Sequence, residues 1–202
     1  MENKYPIVFF ANPVFEDDGL ASTVELAKKI AEYQPVLFIN FPLTYTQFVK
    51  CEHTNRYSRA LGFQNRIYQP AISELPNLWV IEMPIMLPSN KIKNDWLYRR
   101  VFDRNNRRYR FHVLRAIQKL GWSSTVAVNA LNPLYSKAFT SFSAIKHVYY
   151  CYDNIQAAYW LSNHGAALEK ELVHQCDEIY VSSQGLLEKF KHLSKPIFWI
   201  PN

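Results

Sequence analysis

Short apolar runs alternate with amphipathic segments along most of the chain. Seven runs have the length and the β-branched or aromatic content of buried strands: Ile7–Phe10, Val36–Ile39, Leu78–Met83, Thr125–Val128, His147–Tyr152, Glu178–Val181 and Pro196–Ile200. The amphipathic segments predict helices at Leu20–Glu32, Asp95–Leu120, Ile155–Cys176 and Gln184–Leu193. Strands joined by helical crossovers must lie parallel and be covered on both faces. The pattern therefore predicts an α/β fold with a Rossmann-like, mostly parallel sheet of about seven strands and helices on both faces.

The segment Thr44–Leu75 departs from this alternation. It is longer than a usual crossover and rich in polar and aromatic residues. We expect irregular helix and loop there.

Composition favours one large domain in a reducing compartment. The chain has 202 residues, of which 49% are hydrophobic, enough for a substantial core. Cys51, Cys151 and Cys176 have no metal-like or redox-like spacing and fit reduced thiols. No apolar run reaches the ~20 residues of a membrane span, and the N-terminus does not resemble a signal peptide. We expect a cytoplasmic protein.

Several reaction classes lack their sequence signatures. With only five glycines, the chain contains neither a G-x-G-x-x-G dinucleotide fingerprint nor a G-x-x-x-x-G-K-[ST] phosphate loop. No G-x-S-x-G elbow of an α/β-hydrolase is present, and the six histidines lack metal-site spacing. We therefore expect no cofactor and no metal site.

Small polar and acidic residues follow the predicted strands. Parallel sheets bind ligands at the carboxyl ends of their strands. The candidates for hydrogen bonds to a hydroxyl-bearing ligand are Asn12, Asp17, Asp18, Gly19, Asn129, Asn132, Asp153, Asn154, Ser182 and Ser183. The same residue types also form turns and cap helices in any βα loop. Their shared edge is what favours a binding site.

A basic run lies on the predicted helix Asp95–Leu120. Its members are Arg99, Arg100, Arg104, Arg107, Arg108, Arg110 and Arg115. The net charge of +6 favours anionic partners. The run is either an ordinary solvated face or a surface that contacts phosphates or an anionic membrane, for which we select Arg99, Arg100, Arg104, Arg107 and Arg108. No RRM, KH or helix-turn-helix signature accompanies the charge, so we expect no nucleic-acid partner.

The segment His147–Asn202 carries a further pattern. Tyr149 and Asp153 end a strand, Glu169 precedes Cys176-Asp177 on a helix, Ser183 follows the next strand, and the chain ends at Pro201-Asn202. This order resembles the end of the N-terminal domain in GT-B glycosyltransferases, in particular the family 4-like enzymes of bacterial surface-polysaccharide synthesis. Over the first 140 residues the resemblance rests only on the order of strands and helices.

The resemblance implies a division of labour between two Rossmann-like domains. Residues 1–202 would be the domain that mainly binds the acceptor, and a second domain, absent from this chain, would bind the nucleotide-sugar donor. The family's glycine-rich first loop is here Asn12–Gly19, with one glycine and with Asp17 and Asp18, whose charges would repel a donor phosphate. The chain alone would then be inactive.

The implied activity is sugar transfer, of a hexosyltransferase type, to a glycan or lipid-linked acceptor at the inner face of the membrane. Asp153 is the candidate for the acceptor-hydroxyl contact, and for the general base if the enzyme inverts configuration. If the enzyme retains configuration, Asp153 only orients the acceptor. A non-catalytic module that binds a phosphorylated or glycan ligand is the alternative, because doubly wound sheets host many functions.

Overall fold

The structure, a computed structural model, describes residues 4–16, 21–71, 75–155 and 164–200. Its strands form one sheet in the order β3-β4-β2-β1-β5-β6-β7-β8. The strands are β1 (Ile7–Ala11), β2 (Val36–Ile39), β3 (Ile67–Tyr68), β4 (Leu78–Ile81), β5 (Val126–Ala130), β6 (Lys146–Cys151), β7 (Glu178–Val181) and β8 (Ile197–Trp199). All neighbouring pairs are parallel except β3 with β4. The predicted mostly parallel α/β fold is confirmed.

The strand count differs from the prediction of seven. The additional strand β3 lies in Thr44–Leu75, where we expected only irregular helix and loop, and pairs antiparallel with β4 through Ile67–Ile81 and Tyr68–Val80. Two residues are too few to show an apolar alternation, so the pairing is fixed by the neighbouring strand rather than by local sequence.

Seven α-helices are described. They are α1 (Ser22–Ala31), α2 (Tyr45–Val49), α3 (Tyr57–Leu61), α4 (Asp95–Lys119), α5 (Ser136–Thr140), α6 (Gly165–Gln175) and α7 (Gln184–Phe190). Short 3₁₀ turns at Thr54–Arg56 and Pro133–Tyr135 precede α3 and α5. The predicted long helix is present as α4, which an Asn94 side chain caps at its first turn.

The period of two along each central strand separates the core into two layers. In β1, Val8 and Phe10 point into the layer that α4, α5, α6 and α7 cover, whereas Phe9 and Ala11 point into the layer that α1 covers. Helices therefore cover both faces, as expected. This arrangement fixes the carboxyl ends of the parallel strands along one edge of the sheet.

Candidate functional site

The strand order reverses at β1, which lies between β2 and β5. In open α/β sheets this point forms a crevice in which ligands bind. Here Asn132 bridges the two strand ends, because its Nδ2 donates to the Ala11 carbonyl at 2.8 Å. Its Oδ1 is buried and has no hydrogen-bond partner within the described part of the chain. The preceding Leu131 has a positive φ of 52°, a strained conformation for a residue with a branched side chain.

The same turn uses both polar atoms of the Asn129 side chain. Asn129 is fully buried, its Oδ1 accepts from the Asn132 backbone N–H at 2.8 Å, and its Nδ2 donates to the Asn132 carbonyl at 3.0 Å. The structure thus gives Asn129 a turn-locking position and does not bring it to an open surface with the other predicted residues.

An open cavity of about 740 Å³ lies at the carboxyl ends of β6 and β7. It is lined by Tyr152, Asp153, Asn154, Ser182, Ser183, Gly185, Leu186 and Lys189. Asp153, Asn154 and Ser183 are exposed, so four of the predicted residues, with Ser182, converge on one space. The cavity offers hydroxyl, amide, carboxylate and ammonium groups, which suit a polyhydroxylated ligand.

Local hydrogen bonds hold the polar groups of this cavity in place. The Asn154 backbone N–H donates to Asp153 Oδ1 at 2.7 Å. Ser182 Oγ donates to the Tyr152 carbonyl at 3.0 Å, which ties the end of β7 to the end of β6. Ser183 Oγ accepts from the Leu186 backbone N–H and caps α7. The capping role that such residues often have is therefore real for Ser183, and it positions the hydroxyl at the rim.

The loop after β1 approaches the same cavity through Asn12. Burial raises the pKa of the Tyr152 hydroxyl, and a hydrogen bond with the Asn12 side chain partly opposes that rise. Asn12 is half-buried beside a residue that lines the cavity. Asp17, Asp18 and Gly19, predicted for the same loop, lie outside the described residues.

A series of linked, buried hydrogen bonds connects to the cavity through Lys189. Tyr149 Oη donates to Glu169 Oε1 at 3.0 Å, and Lys189 Nζ donates to Glu169 Oε2 at 2.7 Å. Glu169 is only 4% exposed, so its charge depends on these partners. Lys189 links this buried chain to the cavity that it also lines.

The remaining residues of the C-terminal pattern also have structural positions. Asp177 Oδ2 accepts from the His147 backbone N–H at 2.7 Å, which joins the starts of β6 and β7. Cys176 and Cys151 are buried free thiols, whereas Cys51 is exposed. Asp153 differs from the buried Glu169 by its exposure, and from the exposed Asp177 by its position at the cavity.

The sequence prediction missed a buried ion pair at the ends of β2 and β4. Arg56 contacts Glu82 twice, through Nε–Oε2 at 2.9 Å and Nη2–Oε1 at 2.6 Å. Asn40 Nδ2 donates to Glu82 Oε2 at 3.1 Å, and Asn40 Oδ1 accepts from the Phe15 backbone N–H at 2.9 Å. The network anchors the loop after β1. One signal was available, because Glu82 interrupts an apolar run and a buried carboxylate needs a partner.

The arginines of α4 form an exposed surface. Arg99, Arg100, Arg104, Arg107 and Arg108 are all exposed, as are Arg110 and Arg115. Trp96 and Phe111 lie among them and are 63% and 54% exposed. The Arg100 guanidinium lies over the Trp96 ring at 4.4 Å. No helix in the described part of the chain is long and apolar enough to cross a membrane.

No metal site is evident: within the described ranges, no group of three or more His, Cys, Asp or Glu side chains is placed to hold an ion.

Comparisons with known proteins bear on the fold. Two solved structures of sucrose-phosphate synthase from Thermosynechococcus elongatus resemble the chain at 10% sequence identity. One has a TM-score of 0.61, with 98% of this chain and 48% of that chain covered. The other has a TM-score of 0.55, with 98% and 88% covered. No protein-family model and no curated protein matches the chain.

At this identity the likeness shows the fold alone. The chain shares the α/β fold of these two sucrose-phosphate synthase structures. The chain spans about half the length of the longer neighbour.

Proposed function

We propose that this chain is the acceptor-binding domain of a GT-B glycosyltransferase. The observation that carries the proposal is the cavity at the ends of β6 and β7, where Asp153, Asn154 and Ser183 face one open space. The likeness in fold to sucrose-phosphate synthase over 98% of the chain supports it. The acceptor is a glycan or a lipid-linked sugar, in the manner of family 4-like enzymes of bacterial surface-polysaccharide synthesis.

In the proposed mechanism, Asp153 contacts the acceptor hydroxyl. Its Oδ1 accepts from the Asn154 backbone N–H, which fixes the carboxylate orientation. The carboxylate then accepts the hydroxyl proton as general base if the reaction inverts configuration, or orients the hydroxyl if it retains configuration. Asn154 and Ser183 hydrogen-bond neighbouring hydroxyl groups of the acceptor.

The donor half belongs to a second domain. A nucleotide-sugar bound there would face the cavity across the interdomain cleft. The acceptor oxygen would form a bond to the anomeric carbon of the hexose while the bond from that carbon to the diphosphate breaks, and the nucleoside diphosphate would leave. Asn12 lies in the loop that follows β1 on the same edge, and Asp17, Asp18 and Gly19 come soon after it in the sequence. The carboxylates of Asp17 and Asp18 favour a neutral acceptor over a donor phosphate. No resident cofactor or metal is part of this proposal.

Nucleotide release tests the proposal directly. The protein that carries this chain, in its full length, is incubated with a panel of UDP-, GDP- and ADP-sugars and with extracted cell-surface glycans and lipid-linked sugars. We expect acceptor-dependent release of the nucleotide by the full-length protein and none by residues 1–202. Turnover by residues 1–202 would contradict the assignment of the donor site to another domain. Glycan binding without any turnover would favour the non-catalytic binding module.

We also propose that the arginine surface of α4 attaches the protein to the inner face of an anionic membrane. Trp96 and Phe111 supply apolar contact among the exposed arginines, a combination that suits the membrane interface. Each basic residue near an anionic bilayer contributes about 1 kcal/mol. Attachment would bring the cavity to a lipid-linked acceptor on the cytoplasmic face of that membrane.

Vesicle sedimentation distinguishes membrane binding by this surface from binding that depends only on the net positive charge of the protein. We expect binding to phosphatidylglycerol-containing vesicles that is lost as salt rises. The triple variant Arg104→Gln, Arg107→Gln, Arg108→Gln should abolish it, whereas Lys4→Gln, Lys28→Gln, Lys29→Gln removes equal charge elsewhere and should not. Equal losses in the two triple variants would leave α4 as an ordinary solvated face.

A further inference from the structure

A second cavity, remote in the fold from the ends of β6 and β7, lies beside the edge strand β3. It measures about 410 Å³ and is formed by the last two turns of α4 and the segment between α3 and β3. Arg66, His112, Arg115 and Lys119 line it together with Asn65 and Gln118. On α4, positions 112, 115 and 119 share one helix face, because residues three or four apart are neighbours.

The cavity concentrates positive charge without a matching carboxylate. Three of its side chains are cationic, and the described residues that line it include no Asp or Glu. Arg108 lies one helical turn before His112 and adds a fourth positive charge. Glu82 acts on Arg66 from a distance, but its carboxylate is already held by Arg56 through two contacts. Like charges placed together without compensation repel each other, so the cluster favours an anion.

Arg66 is held in position and only partly satisfied. Its Nη2 donates to the Ala60 carbonyl at 2.9 Å. Its Nε is buried and has no hydrogen-bond partner among the residues that the structure describes. Gly62, with a φ of 89°, leaves room for this guanidinium, since a Cβ there would lie 3.2 Å from Arg66 Nη2. A buried donor without an acceptor is what a bound anion would satisfy.

The pKa of His112 responds to the same positive charges. Burial lowers the pKa of His112 to about 4, with Arg66, Arg108 and Arg115 lowering it as well. Lys119 is partly engaged, because its Nζ donates to Asn65 Oδ1 at 3.2 Å. An anion in the cavity would oppose the arginine charges and raise the pKa of His112.

We propose that this cavity binds a phosphate monoester or a similar dianion, through Arg66 and Arg115 with Lys119 at its rim. Guanidinium groups bind phosphate oxygens bidentately, and two of them balance the two negative charges of a monoester dianion, with the Lys119 ammonium adding attraction at the rim. The phosphate belongs either to a soluble compound or to a lipid headgroup. The inference stands apart from the proposed glycosyl transfer, because none of its residues lines the cavity at β6 and β7.

The primary test follows the imidazole proton signal of His112, assigned with the His112→Gln variant. Inorganic phosphate is added to the protein at neutral pH and at constant ionic strength. We expect a saturable shift of this signal. Arg115→Gln should weaken phosphate binding about ten-fold, the size of one lost charge-assisted contact. Arg110→Gln removes another exposed arginine of α4, one that does not line the cavity, and should leave affinity unchanged.

A second arm identifies the source of the phosphate. Vesicles containing phosphatidic acid, a phosphate monoester, are compared with vesicles of equal surface charge containing phosphatidylglycerol, a diester. A preference for phosphatidic acid that Arg115→Gln removes assigns a lipid headgroup, and equal binding assigns a soluble phosphate ester. Absence of a saturable shift of His112, or equal weakening by Arg115→Gln and Arg110→Gln, would overturn the proposal. Because Arg115 is exposed, its substitution should leave the fold intact, which thermal unfolding checks.

Discussion

Two parts of the same sheet edge use similar residue types for opposite purposes. At the ends of β2 and β4, Asn40, Arg56 and Glu82 are buried and satisfy one another. At the ends of β6 and β7, Asp153 and Asn154 are exposed beside a cavity. The first group has its hydrogen-bonding capacity consumed within the fold. The second group is exposed at a cavity that a ligand can enter.

The comparison teaches that polar identity alone does not define a binding residue. A buried charge must be paired, so its removal acts on stability. Removal of an exposed polar group changes stability little. For a group beside the cavity, we therefore expect the main effect on ligand binding. Substitutions in the two groups should therefore separate stability from activity.

The largest expected effect is on the buried group formed by Asn40, Arg56 and Glu82. Glu82→Gln leaves the buried Arg56 guanidinium without its counter-charge and should lower the free energy of unfolding by about 3 kcal/mol. Urea unfolding measures this change. The double variant Arg56→Met, Glu82→Leu removes both charges and should recover much of the loss. A change below ~1 kcal/mol for Glu82→Gln would show that the pair is not the anchor of this edge.

A smaller effect distinguishes two predicted asparagines. Asn129→Ala removes two buried hydrogen bonds and should cost about 2 kcal/mol of stability. Asn154→Ala removes an exposed side chain and should change stability by less than ~0.5 kcal/mol. Thermal unfolding of the two variants side by side checks the difference. Equal destabilisation would remove the distinction between the turn lock and the cavity.

Asn129 also shows where sequence reasoning reaches its limit. We expected Asn129 to follow the strand Thr125–Val128, whereas it is the fourth residue of β5, close to the sheet edge that the strand and helix pattern predicts. Whether the side chain turns inward depends on Asn132, which bonds to Ala11, 121 residues away in the chain. Contacts of that separation leave no local periodicity to detect.

The same limit applies to the eighth strand and the basic cavity. The two residues of β3 pair with β4 only because β4 offers an edge, and Arg66 meets His112 and Arg115 only through that pairing. The seven longer strands and α4 were predictable, since each carries its own apolar pattern. Asp153, Asn154 and Ser183 were predictable as a group because the ends of β6 and β7 must be adjacent once the sheet is parallel.

The basic cavity extends the comparison to a charge cluster that has no Asp or Glu among the described residues that line it. His112 has a pKa of about 4 in the folded protein and about 6.5 when unfolded. The unfolded chain therefore binds more protons between these values, and stability should fall as the pH drops from about 6.5 to 4. Because the imidazole is partly exposed, screening limits this contribution to about 1 kcal/mol.

Urea unfolding of the parent and of His112→Gln across this pH range checks the contribution. The difference in stability between them should change with pH in that window and be constant above it. Added phosphate should raise the free energy of unfolding of the parent more than that of the Arg115→Gln variant. A difference in stability that does not change with pH would mean that the pKa of His112 is not lowered in the folded protein.

The most direct test of the acceptor cavity is Asp153→Asn in the full-length protein, with Asp103→Asn, an exposed surface ion-pair residue, as the matched control. Stability should change by less than ~0.5 kcal/mol in both variants, because both carboxylates are exposed. Turnover should fall by at least about ten-fold for Asp153→Asn only, as expected when a general base or an orienting contact is lost. Unchanged turnover in Asp153→Asn, or a loss explained by unfolding, would contradict the assignment of the site to the ends of β6 and β7.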